Sequence, residues 1–336
     1  MKKLYLYSLM AMLILAVALS GCGGGGSGTP TPPLSPTPTP INYPPGQSST
    51  YTVGSGASAI SFKMNYAPSG SFASDDNTVT GDPNLPATVN VTNAYWIAQT
   101  EVTYQLWSAV YTWAITTATN KYTFADTGTE GSSGIGSNLQ PVNTISWRDA
   151  MVWCNALTEY YNATNGTSLA CVYTYNGSIV RDSTNATACD NVTAVSTAKG
   201  FRLPMSNEWE LAARYQDGTN WTPGDHVSGD TSGYCYNSGI STTASTIFGN
   251  YAWYSGNCSS TQPVGQKTAN ALGLYDMCGN IYQWCFDWYP GFSGSFRVGR
   301  GGSWNCSTLY LQIGYIYFTG PGSGVSGLGF RPVKTQ

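Results

Sequence analysis

Apolar and polar positions change their spacing along the chain, and each change predicts an element. Residues Leu4 to Leu19 form one apolar run behind Lys2 and Lys3. The run is short and glycines follow it closely, so it predicts a signal segment and not a spanning helix. Tyr95–Ala98 reads as a strand in AYWIAQTEVTYQLW. From Thr103 the spacing turns helical, with Leu106, Val110 and Trp113 on one side. SWRDAMVWCNALTEYYN predicts a clearer helix. Ser146 is placed to cap it, Asp149 stands at its third position, and Ala150, Trp153, Cys154 and Leu157 line one face. FRLPMSNEWELAARY gives a third helical signal after Pro204. Beyond Asn220 the pattern breaks into short segments dense in Gly, Asn, Ser and aromatics. The whole predicts an α+β domain with short strands and long ordered loops.

Composition narrows this picture. Only 9% of residues are charged and the net charge is −3. No basic patch is visible, which argues against a nucleic-acid partner. Aromatic residues reach 13%, a rich supply of amphipathic contact surface. Leu19-Ser20-Gly21-Cys22 resembles the lipobox of bacterial lipoproteins, which implies a signal peptide over 1–21 and lipidation of Cys22. Lipid chains on one residue would anchor the protein to a membrane without crossing it. The Gly-, Pro- and Thr-rich stretch that follows predicts an extended tether from 22 to 46. At ~3.1 Å per residue it reaches up to ~70 Å. No charged residue occurs between Lys3 and Lys63, so the tether is not an electrostatic membrane binder. Residues 47–336 are then the head domain.

Export permits disulfides. Cys171 and Cys189 flank a predicted hairpin with an Asn-Gly turn, and they are the expected pair. The alternative is that the cysteines are small buried hydrophobes.

Six segments carry a family resemblance, in order, over about 90 to 336. They are YWIAQTEVT, PVNTISWRDAMVWCNAL, GFRLPMSNEWELAAR, PVGQKTANALGLYDMCGNIYQW, RGGSW and GFRPV. Together they resemble the formylglycine-generating, sulfatase-modifying enzyme family. The resemblance implies a C-type-lectin-like α+β fold, with two or three helices around small twisted sheets. The family's enzymes oxidise a substrate cysteine at a copper site made by two cysteines five apart after the GGS motif. Soft thiolates suit Cu(I). Here Cys306 matches the first position and Leu311 the second, so the resemblance does not carry the oxidase chemistry with it. A turn in the enzymes binds calcium through a side chain, loop carbonyls and the Glu of a W-E-W motif. Asp276 and the carbonyls of Gly279 and Ile281 match it, and Gln283 replaces the Glu. That implies a weak calcium site or an ion-free turn.

Between RGGSW and GFRPV, the run from Gly301 to Phe330 holds no Asp, Glu, Lys, Arg or His. Some proteins of this fold are surface lipoproteins whose genes are rewritten at Asn codons by diversity-generating retroelements. Codons of the resulting NNC or NNT type exclude Met, Trp, Lys, Glu and Gln. Cys306, Ser307, Leu309, Tyr310, Tyr315, Tyr317, Phe318, Thr319, Val325, Ser326 and Gly327 fall on the variable positions of that pattern, and none is an excluded type. The variable segment runs over about 305–327. The resemblance therefore implies a non-catalytic, outer-membrane, surface-exposed monomer. It would present a variable site to an unknown ligand, a protein or a cell-surface component. The alternatives are a copper-dependent oxidase and a structural envelope lipoprotein. If the segment is a binding surface, Tyr310, Tyr315, Tyr317 and Phe318 should be exposed together on one face. Trp304 and Phe330 in the flanking motifs should be buried.

Overall fold

Thr103 begins the first helix as the spacing predicts: its hydroxyl oxygen accepts from Leu106 N at 3.2 Å, and α1 runs Tyr104–Thr116. The computed structural model describes residues 42–74, 87–132, 138–231 and 245–336. The predicted signal peptide, Cys22, most of the tether and Cys235 lie outside them. Tyr43–Gln336 form one compact unit. Ser146 caps α2, Trp147–Asn165, with a reciprocal bond to Asp149. Ala150, Trp153, Cys154 and Leu157 are fully buried on its core face. A short α3, Ala186–Asp190, and α4, Ser206–Arg214, complete the helices among the described residues.

Two small sheets frame these helices. One has the strand order Ser48–Val53, Ile60–Ala67, Tyr95–Ala98, Val333–Thr335, Phe201–Arg202, all antiparallel. The other has the order Ile316–Thr319, Arg297–Arg300, Tyr282–Trp288, Leu328–Gly329, with only the last pair parallel. The fold is thus α+β, with much ordered loop. Trp107 of α1 stacks on Trp153 of α2 at 5.8 Å, and Phe330 packs edge-on against both. Among the described residues no helix is long and apolar enough to cross a membrane.

The predicted hairpin is present: Tyr173–Tyr175 pairs with Ser178–Ile179, and Asn176 and Gly177 have φ of 49° and 76°. The expected disulfide is not. Cys171 and Cys189 are free. The Cys171 thiol faces the Asn155 carbonyl of α2 at 3.6 Å, and the Cys189 thiol faces the Asp182 carbonyl at 3.3 Å. The chain after the hairpin turns into α3 and carries Cys189 to different neighbours. Burial pushes both thiols up to about 12, as expected of structural cysteines.

Arg331, in the GFRPV motif, is fully buried. Its guanidinium donates to the carbonyls of Ala98, Gln99, Tyr275 and Asp276 and to the side-chain oxygen of Gln283. One side chain thereby joins the Tyr95–Ala98 strand, the 275–276 turn and the Tyr282–Trp288 strand. Removing it leaves several buried acceptors unpaired. Arg331→Ala should therefore cost at least ~3–5 kcal/mol in chemical denaturation. In the same experiment Phe330→Ala should cost ~3–5 kcal/mol. Denatured protein kept free of reductant should be alkylated at both Cys171 and Cys189.

Candidate ligand-binding site

The RGGSW motif builds the platform for the segment predicted to vary. Gly301 and Gly302 have φ of 95° and 77°, in the left-handed region. A Cβ on Gly302 would lie 2.6 Å from the Tyr310 carbonyl oxygen, so the loop can fold down only over a glycine here. Arg300, also fully buried, holds the loop from below. It donates to the carbonyls of Ile313 and Tyr315 at 3.1 and 3.4 Å and to Glu210 of α4 at 2.9 Å. Ile313 N donates to the His226 carbonyl and Gly314 N to the Gly224 carbonyl. All the grips on Ile313, Gly314 and Tyr315 are on main-chain atoms.

Burial along the segment separates two sets of side chains. Leu311, Gln312, Ile313, Gly314 and Ile316 are buried, and Leu311, Ile313 and Ile316 join the core under α4. Among the predicted variable positions, Ser307, Tyr310, Phe318 and Ser326 are exposed. Cys306, Leu309, Tyr315, Tyr317, Thr319 and Val325 are half-buried, and only Gly327 is buried. Eight of the eleven line one open cavity of about 590 Å³: Cys306, Ser307, Tyr310, Tyr315, Tyr317, Val325, Ser326 and Gly327. Tyr282 and Ser303, from the flanking framework, share its wall. Tyr317 stacks on Tyr282 at 4.5 Å, and Tyr315 meets Tyr310 edge-on at 5.1 Å. Gly299 lies opposite Tyr317 and leaves room for its ring.

Two expectations need correction. The four aromatics do not share one face. Tyr317 and Phe318 are neighbours on one strand, so they point to opposite sides of the sheet. Phe318 packs instead on Tyr289 and Phe296, at 4.1 and 5.3 Å, beside exposed Phe292. Trp304 is half-buried, not buried like Phe330: it stands in the loop after RGGS, between the cavity-lining Ser303 and Asn305.

The copper reading fails on geometry. Leu311 is packed in the core, while the Cys306 thiol lines the cavity and donates to the Tyr282 hydroxyl at 3.3 Å. Among the described residues no three His, Cys, Asp or Glu side chains gather as a metal site. The calcium set does not fit either. The Gln283 oxygen accepts from Trp209 Nε1 at 2.6 Å and Arg331 Nε at 2.7 Å, which uses both lone pairs. Asp276 gives one oxygen to Gly265 N at 2.7 Å and keeps the other buried without a partner. Burial raises its carboxyl above the usual range. The N–H groups of Ile281 and Gly279 are bound, to Glu101 and to the Gly301 carbonyl, and only their carbonyls could face an ion. One free carboxylate oxygen and two carbonyls make three of the roughly six to eight oxygens that calcium takes.

Two outcomes test this geometry. Gly302→Ala should lower the unfolding temperature by several degrees, since ~1 kcal/mol shifts a domain of this size by about 2–4 °C. Gly291→Ala should lower it less, because nothing lies near its Cβ position. Millimolar calcium, or its removal by a chelator, should leave the unfolding temperature unchanged.

Comparison with known proteins agrees with this architecture. The Sulfatase-modifying factor enzyme 1-like domain matches residues 60–336. The structure of Treponema denticola variable protein 1 is similar over 89% of this chain and all of that one, with a TM-score of 0.63 and 30% identity. A protein named Chaperone protein LppX, from Paenibacillus barcinonensis, is 32% identical over 203 residues, 55% of this chain. A Formylglycine-generating enzyme of Thermomonospora curvata is 26% identical over 219 residues, 57% of this chain. The chain spans 66% of the length of each of these two curated relatives. With its fold and all six motif segments accounted for, the chain belongs to the sulfatase-modifying factor enzyme 1-like domain family.

Proposed function

We propose that this protein is a lipid-anchored surface protein whose head presents a diversified ligand-binding site and has no catalytic activity. The observation that carries the reading is the partition of the segment after RGGSW. Positions read as variable lie at the surface or around one cavity, and most positions between them are buried. Such a partition lets side chains change while the framework stays. The similarity to a variable protein of Treponema denticola supports the same reading. On this reading the lipobox and tether hold the head beyond the outer membrane, and the head acts as a monomer toward a ligand that is a protein or cell-surface component.

The oxidase alternative is opposed by Leu311, whose side chain fills the core where the second thiolate would be needed. The coding DNA is the direct test. Codons ending in C or T are expected at the eleven positions. A near-copy of the segment with AAC or AAT at those positions should lie near a reverse-transcriptase gene. Codons ending in A or G at most of these sites would sink the reading. The purified protein should also leave the cysteine of a sulfatase-type peptide unconverted, with or without copper. Turnover lost in Cys306→Ser would restore the oxidase.

A further inference from the structure

We propose that the cavity of this variant is an aromatic cage for a trimethylammonium group. The inference rests on the reading of the cavity as the ligand site and assigns its ligand class. Four tyrosines line the space: Tyr282 from the framework and Tyr310, Tyr315 and Tyr317 from the variable segment. The Tyr282–Tyr317 pair is stacked, with 22° between the planes, and the Tyr310–Tyr315 pair is perpendicular, at 84°. The four rings therefore lie in more than one plane, and the faces not covered by a neighbouring ring are what a cation would meet.

The lining excludes the other simple choices. It contains no Lys, Arg or His, so it offers no cationic partner for a phosphate or carboxylate. It contains no Asp or Glu, so a primary ammonium would lose its tightly held water without a carboxylate in exchange. A trimethylammonium group is weakly hydrated and covered with methyls. It gives up little water, and its spread charge is attracted to the negative ring faces. Burial keeps the phenols neutral: the Tyr315 hydroxyl is pushed up to about 12 and Tyr282 well above the usual range. The rings thus act through their faces and not as phenolates. Cys306 and Val325 add apolar wall, and Ser307 and Ser326 at the rim can serve whatever carries the cation.

The same group occurs on free choline, on phosphatidylcholine headgroups and on trimethylated lysine. The full chain should be titrated with choline chloride, with its neutral isostere 3,3-dimethylbutan-1-ol, and with ethanolamine. Choline should bind at least about fivefold more tightly than the isostere, the preference expected of ~1 kcal/mol of cation–π attraction. Ethanolamine should bind more weakly than choline. Tyr317→Leu, which keeps apolar volume and loses the ring, should weaken choline by about fivefold or more. Tyr317→Phe should retain it, which separates the ring's role from a folding defect. Phe292→Ala, on the opposite side of the sheet, should change nothing. Equal affinity for choline and the isostere, or no choline binding at high millimolar concentration, overturns the proposal. Co-sedimentation with phosphatidylcholine but not phosphatidylethanolamine vesicles would identify a membrane source. Binding of a trimethyl-lysine peptide without vesicle binding would identify a protein source. Failure of all these arms with C- or T-ending codons in place would reject the cage and leave the diversified site standing.

Discussion

The buried charge of Arg331 is the interaction on which the rest of the head depends. Taking a guanidinium out of water is costly, and only dense hydrogen bonding repays it. Arg331 gains five acceptors, four of them main-chain carbonyls, two at the end of the Tyr95–Ala98 strand and two in the 275–276 turn. The carboxyls of Glu101 and Asp276 lie close and favour its charged form, while burial pulls its pKa down to about 10. Those carboxyls are themselves raised by burial and, for Glu101, by the neighbouring Asp276. A third carboxylate in this cluster would add repulsion. Gln283 avoids it: its oxygen accepts from Arg331 and Trp209, and its amide N–H₂ donates to the Asp276 carbonyl at 2.7 Å. A Glu at 283 could accept but not donate. The departure from the family's Glu and the poor fit for calcium are therefore one change. The amide satisfies the turn with protein hydrogen bonds where the enzymes of the family use an ion.

A second buried arginine applies the same logic to the variable segment. Arg300 is held by Glu210 and Ser206 of α4, and Glu210 also pairs with Arg214. From that fixed position Arg300 reaches two carbonyls of the loop. Gly301 and Gly302 supply the left-handed turn that brings the loop down onto it. The conformation of the loop thus rests on framework side chains and main-chain atoms. A new side chain at Tyr315 or Tyr317 alters the cavity wall without removing any of these bonds.

Much of the framework was legible in the sequence. The Ser146–Asp149 cap of α2, the Tyr95–Ala98 strand and the Asn176-Gly177 turn each follow from a local rule, and each is where the pattern put it. What was not legible depends on distant partners. The Arg331 network cannot be read locally, because its acceptors are mostly carbonyls, which carry no sequence signal. The Cys171–Cys189 pairing failed because Cys189 sits on α3, whose position seats its thiol against the Asp182 carbonyl while Cys171 faces Asn155. Among the site residues, the single face expected for four aromatics contradicted a signal that was available. In a strand, Tyr317 and Phe318 must point apart. Applying that rule to the segment would have put Phe318 on the far side of the sheet. It would not have revealed Tyr282, which reaches the cavity because its strand pairs with Leu328–Gly329 on one side and Arg297–Arg300 on the other.

The absence of charge across the variable segment then has a physical explanation that does not require the segment to be core. No strongly buried arginine of the framework relies on a variable side chain. Arg331 has its carbonyls, Arg300 and Arg214 share Glu210, and Arg202 is paired with Glu208. Arg297 lies between the rings of Trp147 and Trp288, 3.6 and 3.3 Å from their centroids, and donates to the Phe286 carbonyl. Among the described residues, no ion pair includes a variable position. The fold therefore asks nothing electrostatic of those positions. Neutral or charged side chains at those positions would leave the buried arginines with the contacts they already have.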